Sequence, residues 1–365
     1  DIDDETYKRY NNMTGELKHK IIDSITQNED EEYCFKLCDG KCPMLDDNGL
    51  CEIHKNLGED YLGVVCKQFP RYSEYYGTIK ESGIGLACEE AARIILSENR
   101  PFSMETAACD EEYEPSSEYD SSFALQIFAA REAVFKILAK ESLSIHEKLI
   151  VILDMGSKIQ QCINTDEYDN IKSVVNDYLK EGIAHTLDET RNLSDSGQFE
   201  DISLQQGIRQ ILYPYEEMEV LNPEWEVILK DIIDSLFEQM SDEEYNILNE
   251  EFGTYMVSRA YEYRQLLEYL VFRYFAKSIY DYDFLGKCQM LVTNFFVIRQ
   301  MDIIRWLDNH REYSFKDRMD VVHIFSRQVE YSEDNIENLY EDFIFDDIFK
   351  TDSLIAILWI DSENI

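Results

Sequence analysis

The side chains best equipped for chemistry in this chain are thiols, and they are unevenly spread. Of nine cysteines in 365 residues, Cys34, Cys38, Cys42, Cys51, Cys66 and Cys88 crowd into one early segment, whereas Cys109, Cys162 and Cys288 are scattered through sequence of helical character. The odd count and the 44% hydrophobic content argue against a disulfide framework, which serves small secreted domains with little core. In a reducing compartment, thiols gathered in a segment without periodicity suit a soft metal, because thiolates bind zinc and iron well. Cys42, Cys51, Cys66 and Cys88 are the expected ligands, and four thiolates satisfy either zinc or an iron–sulfur centre. Cys34 and Cys38 extend the series as C-x-x-x-C-x-x-x-C, and the spacing leaves their participation open. The scattered three read as structural, and His54 as a loop histidine beside a surplus of thiols. The spacing is neither a compact C-x-x-C finger nor the C-x-x-x-C-x-x-C of radical enzymes, so the fold has to bring distant loops together.

The elements that would do this can be read from period and punctuation. Residues 3–28 space Tyr7, Tyr10, Met13, Leu17, Ile21, Ile22 and Ile25 at threes and fours, the period of a helix. Over residues 29–71 the period stops and turn chemistry takes over, in Asp39-Gly40, Cys42-Pro43, Asp46-Asp47-Asn48-Gly49 and Phe69-Pro70. A segment with no regular face to bury needs another anchor, and thiolate coordination would supply one. An alternating run across Gly77, over 72–86, predicts a hairpin, followed by a helix over 88–96. The acidic stretch 109–121, CDEEYEPSSEYDS, reads as a linker between a cysteine-rich region, 1–108, and a helical domain, 122–365. Helices are predicted over 121–141 and 144–164, capped by Ser122 and Ser144, and over 223–240, 241–252, 255–280, 283–308 and 315–331, with a polar connection over 186–203. No fixed period repeats. The expected architecture is mainly α: a cysteine-rich, loop-dominated N-terminal region packed on an irregular multi-helix bundle. The aromatic run over 266–296 reads as helical core, and the competing reading is a pocket whose ring faces attract a sulfonium or ammonium group.

Composition removes whole classes of partner. With 75 acidic against 34 basic residues the net charge is −41, which repels nucleic-acid phosphates and anionic lipid. Neither nucleic acid nor a membrane is an expected partner. No uncharged apolar run reaches about 18 residues and no signal-like start is present, so a cytoplasmic location is expected. Only 14 glycines, and no G-x-G-x-x-G or G-x-x-x-x-G-K-[ST] run, argue against a Rossmann-type or P-loop site.

The segment CDGKCPMLDDNGLCEIHKNLGEDYLGVVCKQFPRYSEYYGTIKESGIGLACEEAARIIL is more specific. In order and spacing, Cys42, Pro43, Leu45, Gly49, Leu50, Cys51, Ile53, Leu57, Gly58, Cys66, Phe69, Pro70, Arg71, Cys88, Glu90, Ala92 and Arg93 resemble the flagellin lysine-N-methylase family. That family's segment runs C-P-x-L … G-L-C-x-I … L-G … C-x-x-[FY]-P-R … C-P-E-x-A-R. Weaker likeness continues in Phe275-Ala276-Lys277, Asp281, Asp283-Phe284-Leu285-Gly286, Ser326-Arg327, Glu330 and Ser332, and in the opening Ile2, Asp3, Thr6, Tyr7 and Tyr10. Glu89 departs from the family's proline, yet an acidic first turn suits a helix start. The resemblance implies methyl transfer from S-adenosylmethionine to lysine ε-amino groups of flagellin, with a cysteine-bound centre that is a [4Fe-4S] cluster or, alternatively, zinc. It also places a further cysteine group upstream. The chain opens on Asp1 rather than Met, so an N-terminus shorn of those residues is expected, and a centre that needs them would be empty.

Arg71 and Arg93 stand out in so acidic a chain. Each follows a cysteine motif, where it would either pair with a local glutamate or hold a substrate carboxylate, such as the methionyl end of the methyl donor, by bidentate hydrogen bonds. A lysine attacks a methyl sulfonium only as the free amine, and its ordinary pKa of about 10.4 makes that form scarce at neutral pH. Desolvation beside aromatic rings would favour it, with a carboxylate or tyrosine taking the proton. Glu81 and Glu90, inside the matching segment, are the candidate bases. The rival readings are a non-catalytic metal-binding helical scaffold and an iron–sulfur redox carrier or sensor, which would need no methyl donor.

Overall fold

The computed structural model describes residues 2–28, 31–38, 40–108, 120–195 and 203–363. Helix dominates, as the hydrophobic periods predict, and the strands among the described residues form two two-stranded sheets. The chain divides into two compact units, Asp1–Tyr72 and Ser73–Ile365.

In the first unit Asp3 starts helix α1 (Asp4–Asn12), its carboxylate accepting from Thr6 N at 2.9 Å and from Thr6 Oγ1 at 2.7 Å. The single helix expected over 3–28 is broken. Gly15 takes φ +112°, a conformation open to glycine, and a second helix, α2 (Glu16–Asp23), follows before the chain extends into β1 (Ile25–Gln27). β1 pairs antiparallel with β2 (Tyr33–Phe35), placing Thr26 opposite Cys34. Two short helices, α3 (Glu52–Leu57) and α4 (Val64–Gln68), come next. The core is thin. It consists of Ile2, Tyr10, Ile21, Met44 and Ile53, ringed by half-buried residues that include Cys42 and Cys51. A unit this small has little apolar surface to bury, and domains of that kind commonly recruit a metal or disulfides.

The second unit opens within a hairpin, β3 (Arg71–Tyr76) and β4 (Ile79–Ile84), turned at Gly77 (φ +61°) where the alternation predicts it. Helix α5 (Glu89–Leu96) follows. Tyr76, Leu86, Ala91, Ala92 and Leu96 are all buried, so residues 73–108 belong with the helical unit, and the division falls after Tyr72 rather than in the acidic stretch 109–121. Residues 109–119 of that stretch, Cys109 among them, lie outside the described residues. Asp120 rather than Ser122 caps α6 (Ser121–Leu138), accepting from Ser122 N at 2.8 Å and Phe123 N at 3.1 Å. Ser144 caps α7 (Ile145–Asn164) as predicted, and Glu147 closes the capping box. Then come α8 (Ile171–Asp177) and α9 (Ile183–Asp195). α9 occupies part of the expected polar connection 186–203 because Thr186 and Thr190 are buried, Thr190 Oγ1 accepting from Trp359 Nε1 at 3.1 Å. Residues 196–202 of that stretch are outside the described set.

The remaining helices are α10 (Leu204–Glu216), α11 (Pro223–Ile232), α12 (Asp242–Met256), α13 (Ala260–Tyr274), α14 (Ser278–Asp281), α15 (Phe284–Asp308), α16 (Phe315–Val329), α17 (Glu333–Phe345) and α18 (Thr351–Glu363). The 25-residue α15 is the axis; at 1.5 Å per residue it is about 37 Å long. It is buried nearly all round, against α7, α10, α11, α13, α16, α17 and α18. Most of its polar residues find a partner on a neighbouring element, although Asn294 Nδ2, Gln300 Nε2 and Trp306 Nε1 are buried without a hydrogen bond among the described residues. Tyr215 donates to Asn294 Oδ1 at 2.7 Å, Tyr245 to Gln300 Oε1 at 2.9 Å, and Arg299 Nη2 to Asn249 Oδ1 at 3.0 Å. Asp302 accepts from Tyr263 at 2.5 Å, from Arg318 Nη1 at 2.6 Å and from Tyr313. α7 approaches so closely that a Cβ on Gly156 would lie 2.5 Å from Cys288 Sγ, and the buried Cys288 is structural, as expected. No helix among the described residues is long and apolar enough to cross a membrane.

A second buried carboxylate, Asp361 on α18, lies 2.6 Å from His146 Nε2 and 3.9 Å from Arg299 Nε, and accepts from Asn249. Burial opposes its charge, but Arg299, His146 and Asn249 outweigh burial and hold its pKa down at about 2, against an ordinary 3.8. A depressed folded-state pKa gives stability that is complete above the ordinary value and lost as pH falls through the folded one. Acid unfolding followed by circular dichroism should therefore show Asp361→Asn losing about 2 kcal/mol at neutral pH and losing less than the parent as pH drops from about 4 to about 2.

Candidate functional site

Three of the four predicted thiol ligands are gathered in the first unit. The C-P-x-L loop is shaped by Asp46, whose Oδ1 accepts from Asn48 N at 2.9 Å and Leu50 N at 3.0 Å, with Gly49 at φ +76°. That turn folds Leu45 back onto Cys51 as an isolated antiparallel bridge, with Cys42 on one limb and Cys51 on the other. Cys51 is the N-cap of α3, and Cys66 lies on α4. Burial pushes the Cys42 thiol up and neighbouring Cys51 adds to the shift. Although Cys66 is exposed as a residue, the groups packed around its thiol withdraw water and push it up, with Cys42 and then Cys51 adding. Tyr10, which donates to Tyr61 O at 2.8 Å, is pushed up to about 12 by burial and then by Cys66 and Cys51. The three thiols thus lie in one another's electric field, and none is in a disulfide. As soft donors of one kind they suit zinc or iron. The arrangement is open rather than a closed cage: among the described residues no three His, Cys, Asp or Glu side chains converge as a metal site.

The other early candidates are peripheral. Cys34 is half-buried on β2, and Cys38 is exposed, its Sγ 4.0 Å from Lys36 O. His54 is exposed on α3 rather than in a loop, and Arg71 is exposed at the start of β3.

Cys88 belongs to the second unit, at the N-cap of α5. The chain entering that cap is pinned by a buried network between α13 and the C-cap of α16. Glu330 is 6% exposed, and its Oε2 accepts from Tyr269 at 2.8 Å, Tyr274 at 3.1 Å and Arg273 Nε at 3.0 Å. Tyr269 in turn accepts from Leu86 N at 3.4 Å, two residues before Cys88. On the exposed face of α5, Arg93 grips Glu90 through Nη2–Oε1 at 2.6 Å and Nε–Oε2 at 2.8 Å. Of the two roles open to Arg93, pairing with a local glutamate is the one adopted. The hydrogen bond from Arg93 holds the Glu90 carboxyl below its usual range, which weakens Glu90 as a base.

Glu81, on β4, binds Arg131 of α6 through both oxygens, Nη1–Oε2 at 2.6 Å and Nη2–Oε1 at 2.5 Å. Arg131 is 4% exposed, and its guanidinium also lies over the rings of Phe128 at 5.1 Å and Phe272 at 5.7 Å. The aromatic run over 266–296 is largely core, as predicted, with Tyr269, Tyr274, Phe275, Phe284, Phe295 and Phe296 buried. Phe272 differs: with Phe102 it opens onto a cleft of about 600 Å³ whose other walls are Tyr75, residues 78–82 and residues 103–107. Two carboxylates, Glu81 and Glu105, line this cleft. The cation that lies over Phe272 is thus a side chain of the protein itself. Spacing does not single out Arg131, though the sequence carries a sign of it. It shares an i, i+4 stripe with Ile127 and Phe135, and an arginine in an apolar stripe calls for a carboxylate.

Comparison with known proteins decides the family. A family model described as the FliB lysine N-methylase C-terminal domain matches residues 131–357. The chain belongs to the FliB lysine N-methylase family. The flagellar biosynthetic protein FliU of Salmonella muenchen is 37% identical over 59 residues, 16% of this chain and 35% of that protein. The lysine-N-methylases of Salmonella typhimurium and Salmonella choleraesuis are each 37% identical over 59 residues, 15% of their length. The chain thus spans about a third or less of these curated relatives in the matched stretch. No solved structure matches it. In this FliB-family chain, Arg131, the Tyr269–Arg273–Tyr274 group and Glu330 fall inside the family match, whereas Cys42, Cys51, Cys66, Cys88, Glu81 and Glu90 precede it.

The Glu81–Arg131 pair gives a sharp test. Glu81→Ala strands a buried guanidinium and should cost about 3–5 kcal/mol in urea unfolding. The double variant Glu81→Met, Arg131→Met should recover most of that loss, because no buried charge is then left unpaired.

Proposed function

We propose that the protein transfers methyl groups from S-adenosylmethionine to lysine ε-amino groups on flagellin, in the cytoplasm and without nucleic acid or membrane as partner. The observation that carries this reading is the family match over residues 131–357. The cleft beside Phe102 and Phe272 suits such a substrate, since its rings take the aliphatic stem of a lysine and their desolvating faces lower the ammonium pKa toward the free amine that attacks a sulfonium methyl. Of the two carboxylates there, Glu81 is committed to Arg131, so Glu105 is our candidate to accept the proton. Glu81 then acts by holding Arg131 in place. Arg71, exposed at the start of its strand, is the candidate for the methionyl carboxylate of the methyl donor, a role for which Arg93 would first have to release Glu90.

We further propose that Cys42, Cys51, Cys66 and Cys88 supply thiolates to a [4Fe-4S] cluster, with zinc the alternative. Such a centre would lend folding energy to a unit whose own core is thin.

Mass spectrometry of flagellin co-expressed with and without this gene should show lysines heavier by methyl steps only with it, and unmodified lysines in both samples would refute the activity. Cys66→Ser should lower bound iron or zinc, read by elemental analysis of the purified protein, to a small fraction of the parent's. Unchanged metal content would remove Cys66 from the ligand set.

A further inference from the structure

We propose that a pocket at the first turns of α7 and α13 binds the zwitterionic end of an α-amino acid, with Lys148 for its carboxylate and Glu141 for its ammonium. The pocket, of about 540 Å³, shares no lining residue with the cleft beside Phe102. Lys148 is 5% exposed and makes no hydrogen bond or ion pair among the described residues, yet it lines the pocket. An ammonium withdrawn from water needs an anionic partner, because burying the charge alone is costly. The other cation lining the pocket, Arg264, is already committed. Its Nη1 meets both oxygens of Glu268 at 2.7 and 2.9 Å, and its Nη2 meets Asn99 Oδ1 at 2.8 Å and Arg100 O at 3.1 Å. Burial first and then the like charge of Arg264 push the Lys148 amine down, while Glu268, Glu141 and Glu147 oppose them through space. A ligand carboxylate would supply the counter-charge that these acids leave unmade.

A carboxylate alone would leave the pocket's second charge unmet. Glu141 lines the same space, is exposed, and makes no ion pair among the described residues. Of the other acids in the field of Lys148, Glu268 is held by Arg264, and Glu147 by the capping box, where it accepts from Ser144 N at 2.8 Å. One uncommitted cation and one uncommitted anion therefore line one pocket, which suits a ligand carrying both charges on neighbouring atoms. The start of α7 favours the carboxylate further, since Ser144 and Ile145 line the pocket and a helix N-terminus is positive. Pro101, Leu143 and Tyr261 offer apolar surface to the rest of the ligand. A phosphate suits the pocket poorly, because it brings negative charge toward Glu141 with no ammonium to offset it. Two sources present the zwitterionic end: a free amino acid and, on the methyl-transfer reading, the methionyl part of S-adenosylmethionine.

Isothermal titration calorimetry on the full chain tests this with L-methionine and S-adenosylhomocysteine, one for each source. At least one should bind. Lys148→Met should weaken it by about tenfold or more without lowering the thermal unfolding temperature, since the amine removed has no partner to lose, and Glu141→Gln, at an exposed residue, should weaken it severalfold. Methionine binding alone identifies a free amino acid, and S-adenosylhomocysteine binding alone identifies the methyl donor and moves its carboxylate from Arg71 to Lys148. Binding of neither compound, or parental affinity in both variants, overturns the site. Two truncated compounds decide the matter even where Lys148→Met does not fold. Methioninamide, which lacks the carboxylate, binding as well as methionine, or 5′-methylthioadenosine, which lacks the amino-acid end, binding as well as S-adenosylhomocysteine, would overturn it too. Methionine held here while flagellin is never methylated leaves the site standing and the activity fallen. Methylated flagellin with neither compound held through Lys148 and Glu141 does the reverse.

Discussion

Burial of α15 on nearly every face is the constraint that organises the larger unit. A surface helix can turn its polar residues to water, but one enclosed by seven others has to find each of them a protein partner, because an unpaired buried amide or charge costs more than most single contacts return. The tyrosines at 215, 245, 263 and 313, with Asn249 and Arg318, are those partners. They come from α10, α12, α13, α16 and the turn before α16, which explains why the bundle is irregular. Its helices are placed by specific polar appointments as well as by an apolar stripe. The same polar groups keep a long, hydrophobic helix from resembling a membrane span.

This also sets what can be read in the sequence. Helices with a wet face and a clear cap, such as α7 with Ser144 and Glu147, are legible from period and punctuation. α10 is harder because Gly207 and Pro214 sit inside it as apparent breakers, both buried, with Trp225 Nε1 donating to Tyr215 O at 3.2 Å. α9 escapes because its inward groups include threonine hydroxyls, which carry no apolar period, and α18 escapes because buried Leu354 through Trp359 leave no alternation to detect. Glu81 and Glu90 are visible as carboxylates in a matching motif, yet the arginine that commits Glu81 is not. Pairing of Glu81 with Arg131 spans fifty residues, and no local rule reaches that far. The thiols are legible as a group, whereas the assignment of Cys88 to a different compact unit is not, since nothing in the spacing marks a division after Tyr72.

The two units answer to different physics. The larger has ample core and extensive buried polar networks, and the family match lies wholly within it. The smaller relies on five buried hydrophobic residues, short helices and a three-residue strand pair, with three thiols held among them. Burial first, and then the neighbouring thiols, raise the cost of ionising Cys42 and Cys66, which is what a cationic metal would reverse.

The contact between Gly156 and Cys288 bears on motion. With no room for even one methyl group between α7 and α15, neither helix can slide past the other without lifting the whole interface, so the axis behaves as a rigid beam and not as a hinge. The parts of the cleft that lie outside this tight interface are the hairpin, with its turn at Gly77, and the irregular wall at residues 102–107. The bundle in effect backs the cleft like an anvil, with α6 carrying Arg131 and α13 carrying Phe272 behind it.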